Sequence, residues 1–102
     1  LSMNNEENLQ VLRKLKKKPE SSQRELAKEL NFSLGKLNYC LKSLQQKGLI
    51  KIKNFKKNPK KINYLYILTP KGISERTKLT LNFMKRKMEE YEELKKEIEQ
   101  KK

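Results

Sequence analysis

The segment from Ser22 to Leu68 limits what this chain can fold into more than any other part of the sequence. Two amphipathic stretches flank Asn31-Phe32-Ser33, and helices joined by so short a connection must cross steeply. Gly48 ends the second stretch. Two shorter segments then lie on either side of a lysine-rich turn at Asn58-Pro59, which predicts a β-hairpin.

Capping residues set the ends of the two predicted helices. Ser22 and Glu25 have the spacing of a capping box, and Asn31 can adopt the left-handed conformation that ends a short helix. Ser33 can then cap the next helix, which we predict over about 34–47. Together these signals predict a helix-turn-helix.

An earlier helix and the hairpin complete the predicted unit. Apolar spacing predicts a helix from about Asn5 to Lys17, which Pro19 ends, and strands over about 49–54 and 62–68. The predicted fold class is mainly α with a small β-hairpin, a winged helix-turn-helix over residues 5–69. The residues predicted to face the core from the three helices are Leu9, Val11, Leu12, Leu15, Leu26, Ala27, Leu30, Leu34, Leu37, Leu41 and Leu44.

Residues 70–102 form a second predicted unit. No proline or glycine interrupts the stretch from about Ile73 to Gln100, whose apolar residues recur at spacings of three and four, so we predict one long amphipathic helix. These apolar residues form a stripe along the helix, and the simplest way to bury it is to pair with a second copy of the chain as a coiled-coil homodimer. The alternative is a single helix exposed to solvent. The predicted dimer-interface residues are Leu81, Met84, Met88, Tyr91, Leu94 and Ile98.

Basic charge is concentrated in the first two-thirds of the chain. There are 26 Lys and Arg against 12 Asp and Glu, a net charge of +14. Residues 1–73 contain 17 basic and 5 acidic side chains, whereas residues 74–102 contain 9 and 7. Genomic base composition can enrich a whole chain in lysine, but it does not explain this asymmetry. The distribution favours a nucleic-acid partner.

The outward face of the third helix and the hairpin supply the candidate contacts to double-stranded DNA. The Asn38 amide can make two hydrogen bonds to adenine, and Lys36 can donate to guanine acceptors. Backbone amides near Ser33 and Gly35 favour a phosphate, although Gly35 could simply be a tolerated weak helix former. Tyr39 could hydrogen-bond a phosphate or stack on the hairpin. The predicted DNA-binding residues are Ser33, Gly35, Lys36, Asn38, Tyr39 and Lys42 in the helix, with Lys53, Lys56, Lys57, Lys60 and Lys61 in the hairpin over 51–63.

The hairpin lysines have a second interpretation, as do those that end the first helix. Lysine on an exposed edge strand prevents aggregation, but that purpose needs fewer charges than the hairpin tip contains. Lys14, Lys16, Lys17 and Lys18 could contact phosphate or could complement the negative end of the first helix.

The residue types argue against several chemistries. The sequence has no histidine and one cysteine, Cys40, so an intramolecular disulfide is impossible and neither a metal site nor His-based catalysis is expected. It has no Gly-rich phosphate loop, so we predict neither an enzyme nor a bound cofactor. We interpret Cys40 as a small buried hydrophobe, with a redox switch as the alternative.

The sequence predicts no association with a membrane. No apolar run approaches the roughly 20 residues that span a bilayer, and the N-terminus lacks the apolar core of a signal peptide. We therefore expect a cytoplasmic, nucleoid-associated protein. Leu1 and Ser2 before Met3 resemble a vector remnant, and residues 1–4 are predicted to be disordered.

The residues also resemble a known family. Ser33 to Ile50, ending Leu44-Gln45-Gln46-Lys47-Gly48-Leu49-Ile50, and Tyr66-Ile67-Leu68-Thr69-Pro70-Lys71-Gly72 resemble the MarR family of winged-helix transcription regulators. Asn38-Tyr39-Cys40-Leu41-Lys42, Leu68 to Ile73 and Met84 to Tyr91 resemble its small subgroup associated with exopolysaccharide biosynthesis genes. The resemblance runs from Asn5 to Glu99.

This resemblance implies a homodimer that binds a near-palindromic operator and controls nearby genes. The third helix would enter the major groove and the hairpin would be the wing. Lys56, Lys57, Lys60 and Lys61 stand where MarR proteins have an Asp and Arg pair, so an arginine cannot enter the minor groove there. The short first helix leaves dimerisation to the C-terminal helix, and the sequence identifies no small-molecule effector.

Two other binding functions remain open at this point. A winged helix can be a protein-interaction or assembly module with non-specific affinity for nucleic acid, although the lysine-rich hairpin argues against it. RNA binding would need aromatic stacking surfaces, for which the candidates are Phe55, Tyr64 and Tyr66.

Overall fold

In the part of the chain that the structure describes, four helices and one two-stranded sheet follow one another. A computed structural model describes the backbone of residues 4–58 and 61–100 and the side chains of residues 4–54 and 65–100. The predicted fold class is confirmed: the protein is mainly helical, with one antiparallel hairpin and a long C-terminal helix. The elements are α1 (Asn5–Lys17), α2 (Gln23–Leu30), α3 (Leu34–Gln46), β1 (Ile50–Asn58), β2 (Lys61–Leu68) and α4 (Pro70–Gln100).

Side-chain caps begin the first three helices. Asn4 forms a capping box with Glu7 at α1, so this residue belongs to the fold and its predicted disorder was wrong. Ser22 accepts a hydrogen bond from the Glu25 amide at α2, and Ser33 accepts one from the Lys36 amide at α3. Residues 1–3, which include the predicted vector remnant, lie outside the described residues.

The turn between α2 and α3 has the predicted conformation. Asn31 adopts a left-handed φ of 59°, and the Phe32 amide donates to the Ala27 carbonyl at 2.9 Å. Phe32 itself is half-buried against the core. Ser33 follows at once as the cap of α3. The left-handed residue and the short connection together direct α3 steeply away from α2.

The three helices and the sheet share one apolar core. Its most deeply buried side chains come from all three helices, and the predicted core positions of α1 and α2 are confirmed. Leu34 was predicted to face this core but is 43% exposed, because it occupies the first turn of α3, at the edge of the packed surface. The most deeply buried residues are Val11, Leu12, Leu15, Leu26, Leu37, Cys40 and Leu44.

The hairpin is joined to the helices by its second strand. Ile50 pairs with Leu68, and the register continues to Asn58 and Lys61 with an irregularity after Lys56. β1 therefore runs four residues beyond its predicted end. Buried Tyr66 donates its amide to the Pro19 carbonyl at 3.4 Å and its hydroxyl accepts from Gln23 at 2.7 Å. These bonds fix the base of the hairpin relative to α2.

A compact junction joins the hairpin to α4. The Thr69 hydroxyl donates to the Gly48 carbonyl and accepts from the Gly72 amide, at 2.6 and 3.0 Å. Thr69 thus satisfies an amide in the first turn of α4 and Pro70 occupies the first helical position, where no amide donor is needed. For this reason α4 begins three residues before its predicted start at Ile73.

The outer part of α4 projects away from the rest of the protein. Gly72 and Leu79 are buried, Phe83 packs partly against the core, and residues 84–100 are exposed. The principal extents are 68 × 26 × 25 Å, and the radius of gyration of 17.4 Å exceeds the roughly 13 Å of a compact chain of this length. Within the described residues, no helix combines the length and the apolar character needed to cross a membrane.

Candidate nucleic-acid interface

Helix α3 presents one face to solvent. Leu37, Cys40, Leu41 and Leu44 bury the opposite face, so the helical period directs the remaining positions outward. Of the predicted DNA-binding residues in α3, the structure places some on the open face and others on its flanks. Ser33, Gly35, Tyr39 and Lys42 are exposed, whereas Lys36 and Asn38 are half-buried at the two edges.

The first turn of α3 suits an anion. It contains no acidic residue, and the amides of Leu34 and Gly35 lie where a helix leaves its donors unpaired. A Cβ built on Gly35 would meet no atom within 4 Å, so packing inside the protein does not require glycine there. An approaching phosphate backbone could use that space.

Lys36 is held by α1. Its ammonium group forms an ion pair with Glu7 and lies 4.4 Å from the centroid of the Phe32 ring. The hydrogen bond from Lys36 lowers the pKa of the Glu7 carboxyl, and one from the Asn4 amide acts in the same direction. Sequence reasoning missed this pair, because Glu7 has the ordinary position of a helix-capping acid.

Two of the lysines at the end of α1 form ion pairs with α2. Lys14 and Lys18 contact the Glu29 carboxylate of α2 at 3.5 and 3.3 Å. The hydrogen bond from Lys18 is the main cause that lowers the pKa of Glu29, and Lys14 adds to it. For these two lysines the structure supplies an internal partner, which sequence reasoning did not identify.

Cys40 lies on the buried side of α3. It is fully buried, and its thiol contacts the Asn8 amide oxygen at 3.8 Å. Burial raises the pKa of the Cys40 thiol to about 11, so at neutral pH it is protonated and unreactive. This agrees with its interpretation as a small buried hydrophobe.

The hairpin extends the basic surface beyond α3. Lys53 is exposed on β1. The backbones of Lys56, Lys57 and Lys61 belong to the paired strands, but their side chains lie outside the described residues, as does Lys60 altogether. Tyr66, one of the candidate RNA-stacking residues, is buried and so cannot stack on a base; the side chains of Phe55 and Tyr64 lie outside the described set.

The predicted dimer interface forms a continuous apolar stripe on α4. Its members are between 55% and 65% exposed, although each is a large hydrophobic residue. The residues of this α4 stripe are Leu81, Met84, Met88, Tyr91, Leu94 and Ile98.

Comparison with known proteins supports this arrangement of elements. Residues 8–51, which cover α2, α3 and most of α1, match a family model described as winged helix-turn-helix DNA-binding. A MarR family transcription regulator has a similar crystal structure, with a TM-score of 0.71 and 21% identity over 84% of this chain. The fold is a MarR-type winged helix-turn-helix. Zinc-responsive ZitR of Lactococcus lactis shares it, with a TM-score of 0.66 and 24% identity over 92% of this chain.

One of the similar structures is a complex with DNA. Wild-type Lactococcus lactis ZitR in complex with DNA matches with a TM-score of 0.63 and 21% identity over 92% of this chain. The chain spans 56%, 62% and 61% of the lengths of these three structures, respectively. At such identities the likeness concerns the fold. A comparison with curated protein sequences gave no match.

Proposed function

We propose that this protein is a sequence-specific transcriptional regulator that binds double-stranded DNA as a homodimer. The observation that carries the proposal is the outward face of α3 in a winged helix-turn-helix, with an acid-free first turn and open space at Gly35. A recognition helix placed in this way enters the major groove, and the wing can follow the phosphates or the adjacent minor groove. We propose a cytoplasmic, nucleoid-associated location for such a regulator.

The two kinds of contact divide between the helix and the wing. Asn38 and Lys36 can read base edges, and Tyr39 and Lys42 lie where they can reach a base or a phosphate. The basic wing adds affinity that depends on salt and not on sequence. A near-palindromic operator follows from two-fold symmetry in the dimer.

The homodimer is supported by the α4 stripe. Five large apolar side chains in one row on a projecting helix, with Leu94 one position off register, are costly to leave in water. Pairing with a second such helix would bury them. The MarR-type fold and the resemblance in residues 68–73 and 84–91 support the further proposal that the protein belongs to the small exopolysaccharide-associated subgroup.

Two alanine variants test sequence-specific recognition. Asn38→Ala should weaken binding to an operator selected from random duplexes by about 1–3 kcal/mol and should hardly change binding to random DNA, because it removes a base contact. Lys57→Ala should weaken both duplexes alike and reduce the slope of log affinity against log salt by about 1, because it removes a phosphate contact. Fluorescence anisotropy over a salt series measures both effects. Equal losses on operator and random DNA for Asn38→Ala would count against sequence reading by α3.

The ion pair between Glu7 and Lys36 predicts a substitution that tightens DNA binding, whereas the two alanine variants weaken it. Lys36 must leave Glu7 to contact DNA, so Glu7→Gln should tighten duplex binding by about two- to fivefold. Glutamine still accepts the Asn4 amide, so the cap of α1 is kept. Glu6→Gln is the matched control, because it makes the same change of charge at an exposed neighbour in the same helical turn.

A Lys36→Met background shows whether Glu7→Gln tightens DNA binding by releasing Lys36 or only by removing one negative charge. In a Lys36→Met background, Glu7→Gln and Glu6→Gln should have equal effects, since no lysine is left to release. If Glu7→Gln matched Glu6→Gln in the unmodified background as well, Lys36 would not be held back by its ion pair.

A further inference from the structure

The α4 stripe is exposed and lies to one side of the surface through which α4 packs on the winged helix-turn-helix. Gly72 and Leu79 are buried residues of α4, and Phe83 packs partly against the core. At 100° per residue the centre of the α4 stripe lies about 115° around the helix from these residues, a little more than a quarter-turn. A partner helix can therefore run along the exposed side of α4 without displacing α1.

We propose that two copies of the chain pair through the α4 stripe in antiparallel orientation, with the two-fold axis between Met88 and Tyr91. This inference rests on the proposed homodimer and specifies its geometry. In such a pair Met88 faces Tyr91 of the partner subunit, and Leu81 faces Ile98 of the partner subunit.

The spacing of the α4 stripe is self-complementary under this rotation. Leu81 and Met88 are seven residues apart, and so are Tyr91 and Ile98. When one helix is reversed, Met88 and Leu81 therefore lie opposite Tyr91 and Ile98 of the partner subunit, which gives two apolar layers on each side of the axis. Met84 lies opposite Lys95 of the partner subunit. The aliphatic stem of that lysine can cover Met84 while its ammonium group reaches solvent, and Leu94 lies beside the lysine in the sequence.

Charge distinguishes this orientation from the parallel one. In the antiparallel pair Lys85 lies beside Glu92 of the partner subunit, and symmetry makes this contact twice. In a parallel pair in register, Lys95 would meet Lys95 of the partner subunit inside the seam, where like charges repel. Parallel pairing also brings Lys87 near Glu92 of the partner subunit. The contact made by Lys95 therefore decides between the two orientations.

The resulting separation of the two DNA-binding units suits duplex DNA. Residues 72–83 of α4 contact the core, and their midpoint lies about 12 residues from the axis. At 1.5 Å per residue the two units are about 36 Å apart along the helix pair. Half-sites on one face of B-DNA are about 34–36 Å apart.

Cysteine cross-linking tests the orientation. In a Cys40→Ala background, Leu81→Cys and Ile98→Cys are made as single variants, each is checked for dimer formation by sedimentation, and the two are mixed and oxidised. We expect a covalent dimer only in the mixture, because the two Leu81 positions of an antiparallel pair are roughly 25 Å apart, at 1.5 Å per residue. Met84→Cys mixed with Lys95→Cys is a second pair that should behave in the same way.

Every other outcome overturns the proposal. Cross-linking of each single variant with itself would show a parallel pair. A dimer that none of these mixtures cross-links would show that the register is wrong. A monomeric Cys40→Ala protein at micromolar concentration would overturn the proposed homodimer together with its geometry, whereas the first two results would leave the homodimer intact.

Discussion

Met88→Lys is expected to separate the dimer into folded monomers and to weaken operator binding by about 10²- to 10⁴-fold, the range lost when two linked sites bind independently. Met88 lies near the middle of the α4 stripe and is 60% exposed in the single chain. A lysine there costs the folded monomer little, but it places a charge in the apolar seam of the dimer. Sedimentation and fluorescence anisotropy measure the two effects.

Asn82→Lys is the control for Met88→Lys. Both replace a neutral exposed residue of α4 by lysine, and Asn82 lies outside the stripe. Each variant adds one positive charge, which by itself attracts DNA more strongly. A loss of affinity confined to Met88→Lys therefore has to come from the loss of pairing. If Met88→Lys remained dimeric, the α4 stripe would not be the dimer interface.

Gly72→Ala is expected to destabilise the fold by roughly 3 kcal/mol, at the upper end of the usual cost of overpacking. A Cβ at Gly72 would lie 1.9 Å from the Leu49 carbonyl oxygen. That oxygen belongs to the backbone and accepts the Thr69 amide at 3.0 Å, so it cannot turn aside as a side chain could. The whole junction between the hairpin and α4 would have to move. Urea unfolding followed by circular dichroism measures the change.

Gly35→Ala provides the matched comparison. It makes the same substitution within a helix, at a position where nothing lies within 4 Å, so stability should rise by about 0.5–1 kcal/mol. Equal destabilisation by the two substitutions would contradict the close approach at Gly72. Reduced DNA affinity of stable Gly35→Ala would support close approach of the duplex to α3.

The sequence predicted the fold well because the signals that define it are local. The left-handed Asn31, the Ser22 and Ser33 caps and the apolar spacing of each helix involve residues within one or two turns of one another. The start of α4 was missed for a local reason too. The uninterrupted stretch predicts a start at about Ile73, whereas Thr69 caps α4 and Pro70 begins it.

The candidate site was predicted less completely because its internal pairs join distant parts of the chain. Glu7 with Lys36 and Glu29 with Lys18 have no repeating pattern that a sequence could show. The tight approach of Gly72 to Leu49 also depends on how two separate elements pack. Leu34 followed the apolar spacing of α3 but lies beyond the edge of the core, which periodicity alone does not reveal.

The measurement that tests the central claim most directly is selection of binding sequences from a pool of random 30-base-pair duplexes, followed by anisotropy. The affinities of the enriched duplex and a shuffled copy are compared at several salt concentrations. We predict an inverted repeat with half-sites one helical turn apart, bound about a thousandfold more tightly than its shuffled copy. Enrichment of no sequence, with binding that follows salt concentration alone, would contradict sequence-specific recognition by this protein.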